Sequence, residues 1–207
     1  MLKVIMDHAI DLGWRKENPV RTVKPLKVPS RGFHTWNEEE IQMFYSVHKL
    51  GTVAHTAMTL MLYTGAARAD AVKLGWGNIK GNRLHYRRQK TADNGGVLID
   101  MPIHPELRSV LDNCSKDAFT FLQTSNGKSR SAKGLGNMMR DWCDEAGLPN
   151  CSSHGLRKAI ARRMGEAGCT AHEIMAVTGH ATLAEVTRYT KDANRPKLAD
   201  GGIGKLK

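Results

Sequence analysis

The chain contains no apolar run long enough to cross a bilayer, so its sequence excludes a membrane-spanning protein. We also expect no secretory signal, because Asp7 and Asp11 interrupt the apolar stretch that follows Lys3. These two absences predict a cytoplasmic protein without a membrane partner.

Cysteine is too sparse for a disulfide framework, and its scattered positions favour reduced thiols. Two Cys–His pairs, Cys151 with His154 and Cys169 with His172, have the separation of metal ligands. Neither pair has a further cluster of ligands in the sequence, and His154 is better explained as an anion-binding partner of Arg157. We therefore predict no metal site.

Acidic residues are too few to balance the basic ones. The 207 residues include 20 Asp and Glu against 31 Lys and Arg, which gives a net charge of +11. Such an excess attracts polyanions and makes their binding salt-dependent, so it predicts a nucleic-acid partner without separating DNA from RNA. The 41% hydrophobic content is that of a globular protein, and the length suits one domain or one domain with an appendage.

The first 31 residues have a pattern of their own. Apolar residues at helical spacing end at Gly13, and a basic, proline-containing run extends from Asn18-Pro19 to Arg31. A helix this short normally packs against a partner, so we expect residues 1–31 to be the end of a missing upstream domain plus a linker. The main domain is expected at residues 32–191, and a tail at residues 192–207.

The hydrophobic pattern of the main domain predicts an α+β fold, mainly helical, with a small antiparallel β-sheet of about three strands. A capping-box pattern at Thr35 and Glu38 opens the first predicted helix, residues 37–49. Apolar alternation within residues 76–103, around the turn signal Asp93-Asn94-Gly95-Gly96, predicts the sheet. Further helices are predicted at residues 53–63, 105–114 and 135–146, and one more strand at residues 118–123.

Residues 152–189 gather the side chains with catalytic potential. A serine ahead of His154 can cap a helix, and a three-residue step places His154 and Arg157 on one helical face, where their donors converge on one anion. Thr178-Gly179-His180 and Tyr189 return toward this pair through two further short helices. Arginine grips phosphate through paired hydrogen bonds, imidazoles move protons, and a phenol can become a covalent nucleophile. This set suits phosphoryl transfer; the alternative is an ordinary helical subdomain whose polar residues face water.

Arg68 lies at a predicted junction between helices, just after Thr64-Gly65 and among small residues. Alanines on both sides let a bulky anion come close to its guanidinium, while Asp70 could hold Arg68 or a neighbouring cation. Arg68 is therefore a candidate phosphate ligand. The alternative is a surface arginine paired with Asp70.

Two basic segments are candidates for contacts to a phosphate backbone. Lys90 lies on the predicted hairpin just before its turn, where a lysine can reach a neighbouring site as a mobile point charge. Arg87 and Arg88 beside it are predicted DNA contacts, with a solvated basic hairpin as the alternative. The polar stretch 125–133 is predicted to be a surface loop that touches DNA. Its predicted DNA-binding residues are Lys128, Arg130 and Lys133.

Five short motifs, in this order and at these separations, resemble the catalytic domain of the tyrosine recombinases, the phage integrase family. They are Thr64-Gly65-Ala66-Ala67-Arg68 with Asp70, the hairpin Lys90, His154-Gly155-Leu156-Arg157, Gly179-His180, and Tyr189 nine residues later. The resemblance covers residues 32–191, and Asp70 stands where glutamate is familiar. Residues 9–20 are similar to the end of the core-binding domain that precedes the catalytic domain in these enzymes.

The resemblance implies a site-specific recombinase, an integrase that cleaves and rejoins DNA to integrate or excise mobile DNA such as a phage genome. Tyr189 would attack the scissile phosphate and leave a 3′-phosphotyrosine and a free 5′-hydroxyl. Arg68 and Arg157 would clamp the non-bridging oxygens. Lys90 would protonate the leaving 5′-oxygen, and His154 would act in proton transfer with the nucleophile.

The resemblance further implies that His180 hydrogen-bonds the phosphate or positions the tyrosine, and that Asp70 supports Arg68. No metal or nucleotide cofactor is required, because the covalent link conserves the bond energy. The implied partners are double-stranded DNA and other protomers, in a tetrameric synapse of the full-length form, at the nucleoid of a bacterial host. The tail would pack in trans between protomers; a disordered terminus is the alternative.

Two other functions remain open from the residues alone. One is a non-catalytic DNA-binding module, since residues 171–189 resemble a helix-turn-helix with Gly179 in the turn. The small residue of that pattern falls one position off, at Ala176, and the module leaves Arg68 and His154 without a role. The other is a type IB topoisomerase with the same site chemistry.

Overall fold

The computed structural model describes residues 1–24, 32–88, 96–180, 182–190 and 195–204. It divides the chain into two compact units, Met1–Gly32 and Phe33–Lys207. Within the described ranges, no helix has both the length and the apolar content needed to cross a membrane.

The first unit contains one helix, α1 (Leu2–Asp11), in its described part. Asn18 fastens the following turn to this helix, because its side-chain amide donates to the carbonyl of Lys3 at 3.0 Å and to the carboxylate of Asp7 at 2.7 Å. The Asn18 hydrogen bond lowers the pKa of Asp7, and Arg21 pairs with the same carboxylate at 3.2 Å. Local polar contacts therefore hold the Asn-Pro turn against α1.

The second unit is mainly helical, as predicted. Three strands lie in its described part, β1 (Ile79–Lys80), β2 (Arg83–Arg87) and β3 (Leu98–Pro102), and a short 3₁₀ turn at Trp76–Asn78 precedes them. Its helices are α2 (Glu38–Val47), α3 (Val53–Thr64), α4 (Arg68–Ala71), α5 (Pro105–Asp112), α6 (Ala132–Glu145), α7 (Ser153–Glu166), α8 (Ala171–Thr178), α9 (Leu183–Thr190) and α10 (Arg195–Gly204). The predicted fold class is confirmed.

The sheet is antiparallel with the order β1-β2-β3. Along β2 the side chains of Leu84 and Tyr86 are buried while those of Arg83 and Arg87 are exposed. Side chains on a strand alternate between its two faces, so the buried face continues from Leu84 and Tyr86 to Arg88. This register decides which of the two adjacent arginines faces the protein interior.

Helix α3 forms the centre of the core and is buried from Thr56 to Thr64. It packs against α5 and α7, while α8 packs against α7, α9 and β3. Trp36 is fully buried, and its indole N–H donates to the carbonyl of Ser152 at 2.8 Å, directly ahead of α7. The core therefore fixes the start of α7 against the segment that leads into α2.

Three predicted details of the elements are wrong. The capping box of α2 is formed by Asn37 and Glu40, because the helix begins at Glu38, two residues later than the predicted pattern requires. Residues 118–123 form no strand: Phe121 N–H bonds to Leu74 O, and an isolated bridge joins Gln123 to Ser129. Lys133 lies in the first turn of α6 instead of a loop, because the side chain of Ser131 caps that helix.

Candidate active site

Gly65 lies at the junction between α3 and α4 and ends α3 in a left-handed conformation with φ of +60°. Glycine takes this conformation without the Cβ clash that other residues suffer. The carbonyl of Gly65 accepts a hydrogen bond of 2.6 Å from Nη1 of Arg157, on α7. Arg157, one predicted phosphate ligand, is therefore anchored to Gly65, which lies three residues before the other predicted ligand, Arg68.

Arg68 begins α4 and lies against Gly136 of α6, where a Cβ would overlap with the guanidinium. Arg68 and His154 line the same cavity of about 210 Å³. Within the described ranges, Arg68 makes no salt bridge to Asp70, which pairs with Arg88 instead. The alternative of a surface arginine paired with Asp70 therefore does not describe this site, and Gly136 is a site residue that the sequence did not indicate.

His154 is exposed at the first turn of α7 and stacks on Phe33, with ring centroids 4.4 Å apart and planes 15° apart. Ser152 occupies the N-cap position of α7, yet its side chain makes no capping hydrogen bond, contrary to the expected serine cap. Gly155 lets the backbone of His34 approach α7, since a Cβ there would overlap with the His34 carbonyl. This close approach places Phe33 over His154.

His180 is 7% exposed, and its Nδ1 lies 2.6 Å from Oγ1 of Thr178. Burial lowers the pKa of His180 to about 3, and the positive charges of Arg157 and Arg88 act in the same direction. The imidazole is therefore neutral at pH 7. His180 is suited to hydrogen bonding rather than to acting as a cation.

Arg88 is 7% exposed and lies behind His180. Its Nη1 donates to the carbonyl of Gly179, and its Nε lies 4.0 Å from Oδ2 of the buried Asp70. Gly179 has φ of +64°, and a Cβ there would come within 2.6 Å of Cδ of Arg88. Arg88 was predicted to contact DNA, but its burial removes it from the surface that DNA would contact, and the alternative of a solvated basic hairpin does not fit it either. The buried Asp70 supports this arginine.

Tyr86 is also buried, and the sequence did not assign it to the site. Burial raises the pKa of its phenol to about 12, and the charges of Asp70, Arg157 and Arg88 all act on it. Tyr86 is therefore a neutral phenol at pH 7. The alternation of β2 is the signal that could have placed both Tyr86 and Arg88 on the inner face.

Two predicted catalytic groups lie outside the described residues: Lys90, and the side chain of Tyr189, whose backbone is part of α9. Three of the predicted DNA contacts are exposed, namely Arg87, Lys128 and Lys133. Arg130 is half-buried, and its Nη1 lies 2.7 Å from Sδ of Met138.

Cys151 lies beside His34 and Glu40, with potential ligand atoms all within 4.8 Å of one another. His34 Nε2 is 2.8 Å from Glu40 Oε1, which makes an ion pair when the histidine is protonated. Burial raises the pKa of the Cys151 thiol to about 12, so the thiol is protonated at pH 7. Hydrogen bonding within the protein accounts for this cluster.

The sequence profile of the phage integrase family matches residues 35–195, which are most of the second unit. The chain therefore belongs to the phage integrase family. Among its relatives is the tyrosine recombinase XerD of Neisseria meningitidis, 24% identical over 197 residues that cover 88% of this chain and 66% of that protein. The chain thus spans slightly less than two thirds of the length of this relative.

Solved structures of integrases share the fold. A lambda integrase dimer bound to a COC′ core site has a TM-score of 0.74 at 20% identity, over 94% of this chain and 71% of that one. The Tn1549 transposon integrase in complex with circular intermediate DNA has a TM-score of 0.68 at 14% identity, over 97% and 75% of the two chains. The likeness extends across nearly the whole chain.

Proposed function

We propose that the chain carries the catalytic domain of a site-specific DNA recombinase, which cleaves and rejoins DNA strands through a 3′-phosphotyrosine intermediate. The observation that carries this proposal is the grouping around the α3–α4 junction: Arg68 and His154 line one cavity, and Arg157 is bonded to Gly65. Guanidinium groups suit the charge that develops on a phosphodiester during displacement.

In the proposed reaction, the hydroxyl oxygen of Tyr189 bonds to the scissile phosphorus while the bond from phosphorus to the 5′-oxygen breaks. Arg68 and Arg157 bind the non-bridging oxygens, which carry the growing charge. His154 takes part in proton transfer with the nucleophile, and Lys90 gives a proton to the leaving 5′-oxygen. A 5′-hydroxyl can then attack the phosphotyrosine, which reverses the bond changes and releases Tyr189.

The proposed partners are double-stranded DNA and other protomers of the same recombinase. The net charge of +11 supports the first, and lambda integrase has been seen as a dimer on its core site. Residues 1–31 would be the end of a core-binding domain, and the tail with α10 would pack on a neighbouring protomer. Such an enzyme would act in the cytoplasm, at the nucleoid of a bacterial host.

The two alternative functions are not favoured. The match to the phage integrase family and the tyrosine recombinase relative both support recombination over a type IB topoisomerase. A non-catalytic module would give no role to the cavity that Arg68 shares with His154.

A suicide substrate tests the proposal. A half-site of the cognate attachment sequence, nicked just 3′ of the scissile phosphate so that the short fragment with the free 5′-hydroxyl diffuses away, should trap the protein as a covalent DNA adduct that survives denaturation. Tyr189→Phe keeps the ring and removes the nucleophilic oxygen, so it should bind DNA and form no adduct. An adduct of unchanged yield in Tyr189→Phe would place the nucleophile elsewhere, and Tyr86→Phe would be the next variant to examine.

A further inference from the structure

Thr178, the last residue of α8, holds the ring of His180 through its side chain. The hydroxyl oxygen of Thr178 lies 2.6 Å from the carbonyl oxygen of Ile174 and 2.6 Å from Nδ1 of His180. Thr178 is fully buried. Both contacts are therefore hydrogen bonds within the protein interior, where their geometry is determined by packing.

The protons of these two bonds can be counted. A hydroxyl has a single proton, and a carbonyl oxygen only accepts. Thr178 must therefore donate its proton to Ile174, and its oxygen must accept a proton from His180. The bond between Thr178 and His180 thus requires a proton on Nδ1.

The neutral imidazole has only one ring proton. His180 is neutral because it is buried close to the cations Arg157 and Arg88. With the proton on Nδ1, the other ring nitrogen, Nε2, carries a lone pair and accepts hydrogen bonds.

We propose that Thr178 is a positioning residue that fixes His180 in the Nδ1-protonated tautomer, so that Nε2 presents an acceptor to the reacting groups. This proposal rests on the function proposed above. It implies that Nε2 of His180 accepts a hydrogen bond from the hydroxyl of the attacking Tyr189, which is a donor. An oxygen of the scissile phosphate is an acceptor and does not match Nε2 in this tautomer.

The backbone around Thr178 keeps the hydroxyl in place. The left-handed Gly179 turns the chain so that His180 comes back to the side chain two residues before it. Gly65 lies close to Thr178 on the other side, since a Cβ on Gly65 would sit 3.4 Å from Cγ2 of Thr178. Packing of the methyl group against Gly65 leaves the hydroxyl directed at Ile174 and His180.

Two substitutions at position 178 distinguish the effect of the hydroxyl from the effect of the side-chain shape. Thr178→Val is nearly isosteric and removes the hydroxyl, while Thr178→Ser keeps it. The ring nitrogens of His180, in protein labelled with ¹⁵N-histidine, report the tautomer by NMR, and the suicide substrate reports cleavage. His180→Gln assigns the resonance.

In the wild type and in Thr178→Ser we expect the Nδ1-protonated tautomer, with cleavage rates within about threefold of each other, under roughly 1 kcal/mol. In Thr178→Val we expect a shift toward the Nε2-protonated tautomer and cleavage at least about tenfold slower, about 1.4 kcal/mol. An Nε2-protonated ring in the wild type would overturn the proposal. So would Thr178→Val with the tautomer and cleavage rate of the wild type.

The two readouts keep this proposal distinct from the proposed function. If the wild type forms no DNA adduct, the recombinase function fails, while the NMR measurement still decides the tautomer. If Thr178→Val does not fold, as judged by circular dichroism, the tautomer of the wild type still decides the proposal.

Discussion

Arg88 donates a hydrogen bond to the carbonyl of Gly179, which joins the end of β2 to the residue next to His180 across 91 positions of sequence. The same arginine lies 4.0 Å from the buried carboxylate of Asp70, two residues after Arg68. A single buried side chain therefore connects the sheet to two separate parts of the candidate site.

Arg88→Met should destabilise the protein strongly, because it removes a cation from the buried Asp70. Losing one member of a buried pair typically costs about 3–5 kcal/mol. The matched control is Arg87→Met at the neighbouring position, whose exposed side chain should change stability by less than about 0.5 kcal/mol. Urea denaturation measures both, and equal stability of the two variants would argue against a structural role for Arg88.

Gly136→Ala should impair cleavage without unfolding the protein. The added methyl group would overlap with the guanidinium of Arg68, whose side chain is flexible enough to move away. We expect a melting temperature close to that of the wild type and a cleavage rate at least about tenfold lower, or roughly 1.4 kcal/mol. Gly77→Ala, where a Cβ meets no atom within 4 Å, is the control. Cleavage at the wild-type rate in Gly136→Ala would mean that the position of Arg68 is not critical.

Arg157→Lys and Arg68→Lys should each reduce cleavage far more than DNA binding. Lysine keeps the charge but loses the planar two-point grip, and one lost transition-state donor typically costs about 2.7–4 kcal/mol. Single-turnover cleavage and a binding assay at the same salt concentration separate the two effects. Cleavage within about threefold of the wild type in both variants would contradict the assignment of these arginines.

His180 should make the stability of the protein depend on pH. Its native pKa is about 3, below the ordinary value of 6.5, because it is buried and faces Arg157 from α7 and Arg88 from the end of β2. Below pH 6.5 the unfolded chain gains a proton that the folded protein does not take up until about pH 3. Stability is therefore greatest above pH 6.5, where His180 is neutral in both states. Below pH 6.5, the free energy of unfolding falls by about 1.4 kcal/mol per pH unit.

Urea denaturation at two pH values checks this expectation. Between pH 7.5 and pH 5, the wild type should lose about 2 kcal/mol more than His180→Gln, which has no titrating ring. The same loss in both proteins would mean that His180 titrates in the folded state much as it does in the unfolded chain.

The sequence predicted the helices and the sheet because their apolar periodicity reflects one buried face. It also singled out Arg68, His154, Arg157 and His180, since each belongs to a short motif. The direction of a side chain after a strand was harder to predict, and Arg88 was expected on the surface. Its burial depends on the register of β2, which is set by pairing with β3.

Contacts between segments that are distant in the chain could not be predicted from the sequence either. The approach of Gly136 to Arg68 and the stacking of Phe33 on His154 each join elements that no local pattern relates. Thr178 looked like an ordinary helix end, because its hydrogen bond to His180 depends on the left-handed turn between them.

The stacking of Phe33 on His154 connects the first residue of the second unit to a proposed catalytic residue. A chain shortened to begin at Thr35 would keep every motif that identifies the family, along with the whole buried core of that unit. It would nevertheless leave one face of the imidazole bare to water. For the proposed reaction, we therefore expect the shortest chain that folds to be shorter than the shortest chain that cleaves DNA at the full rate, because the former lacks Phe33 and His34.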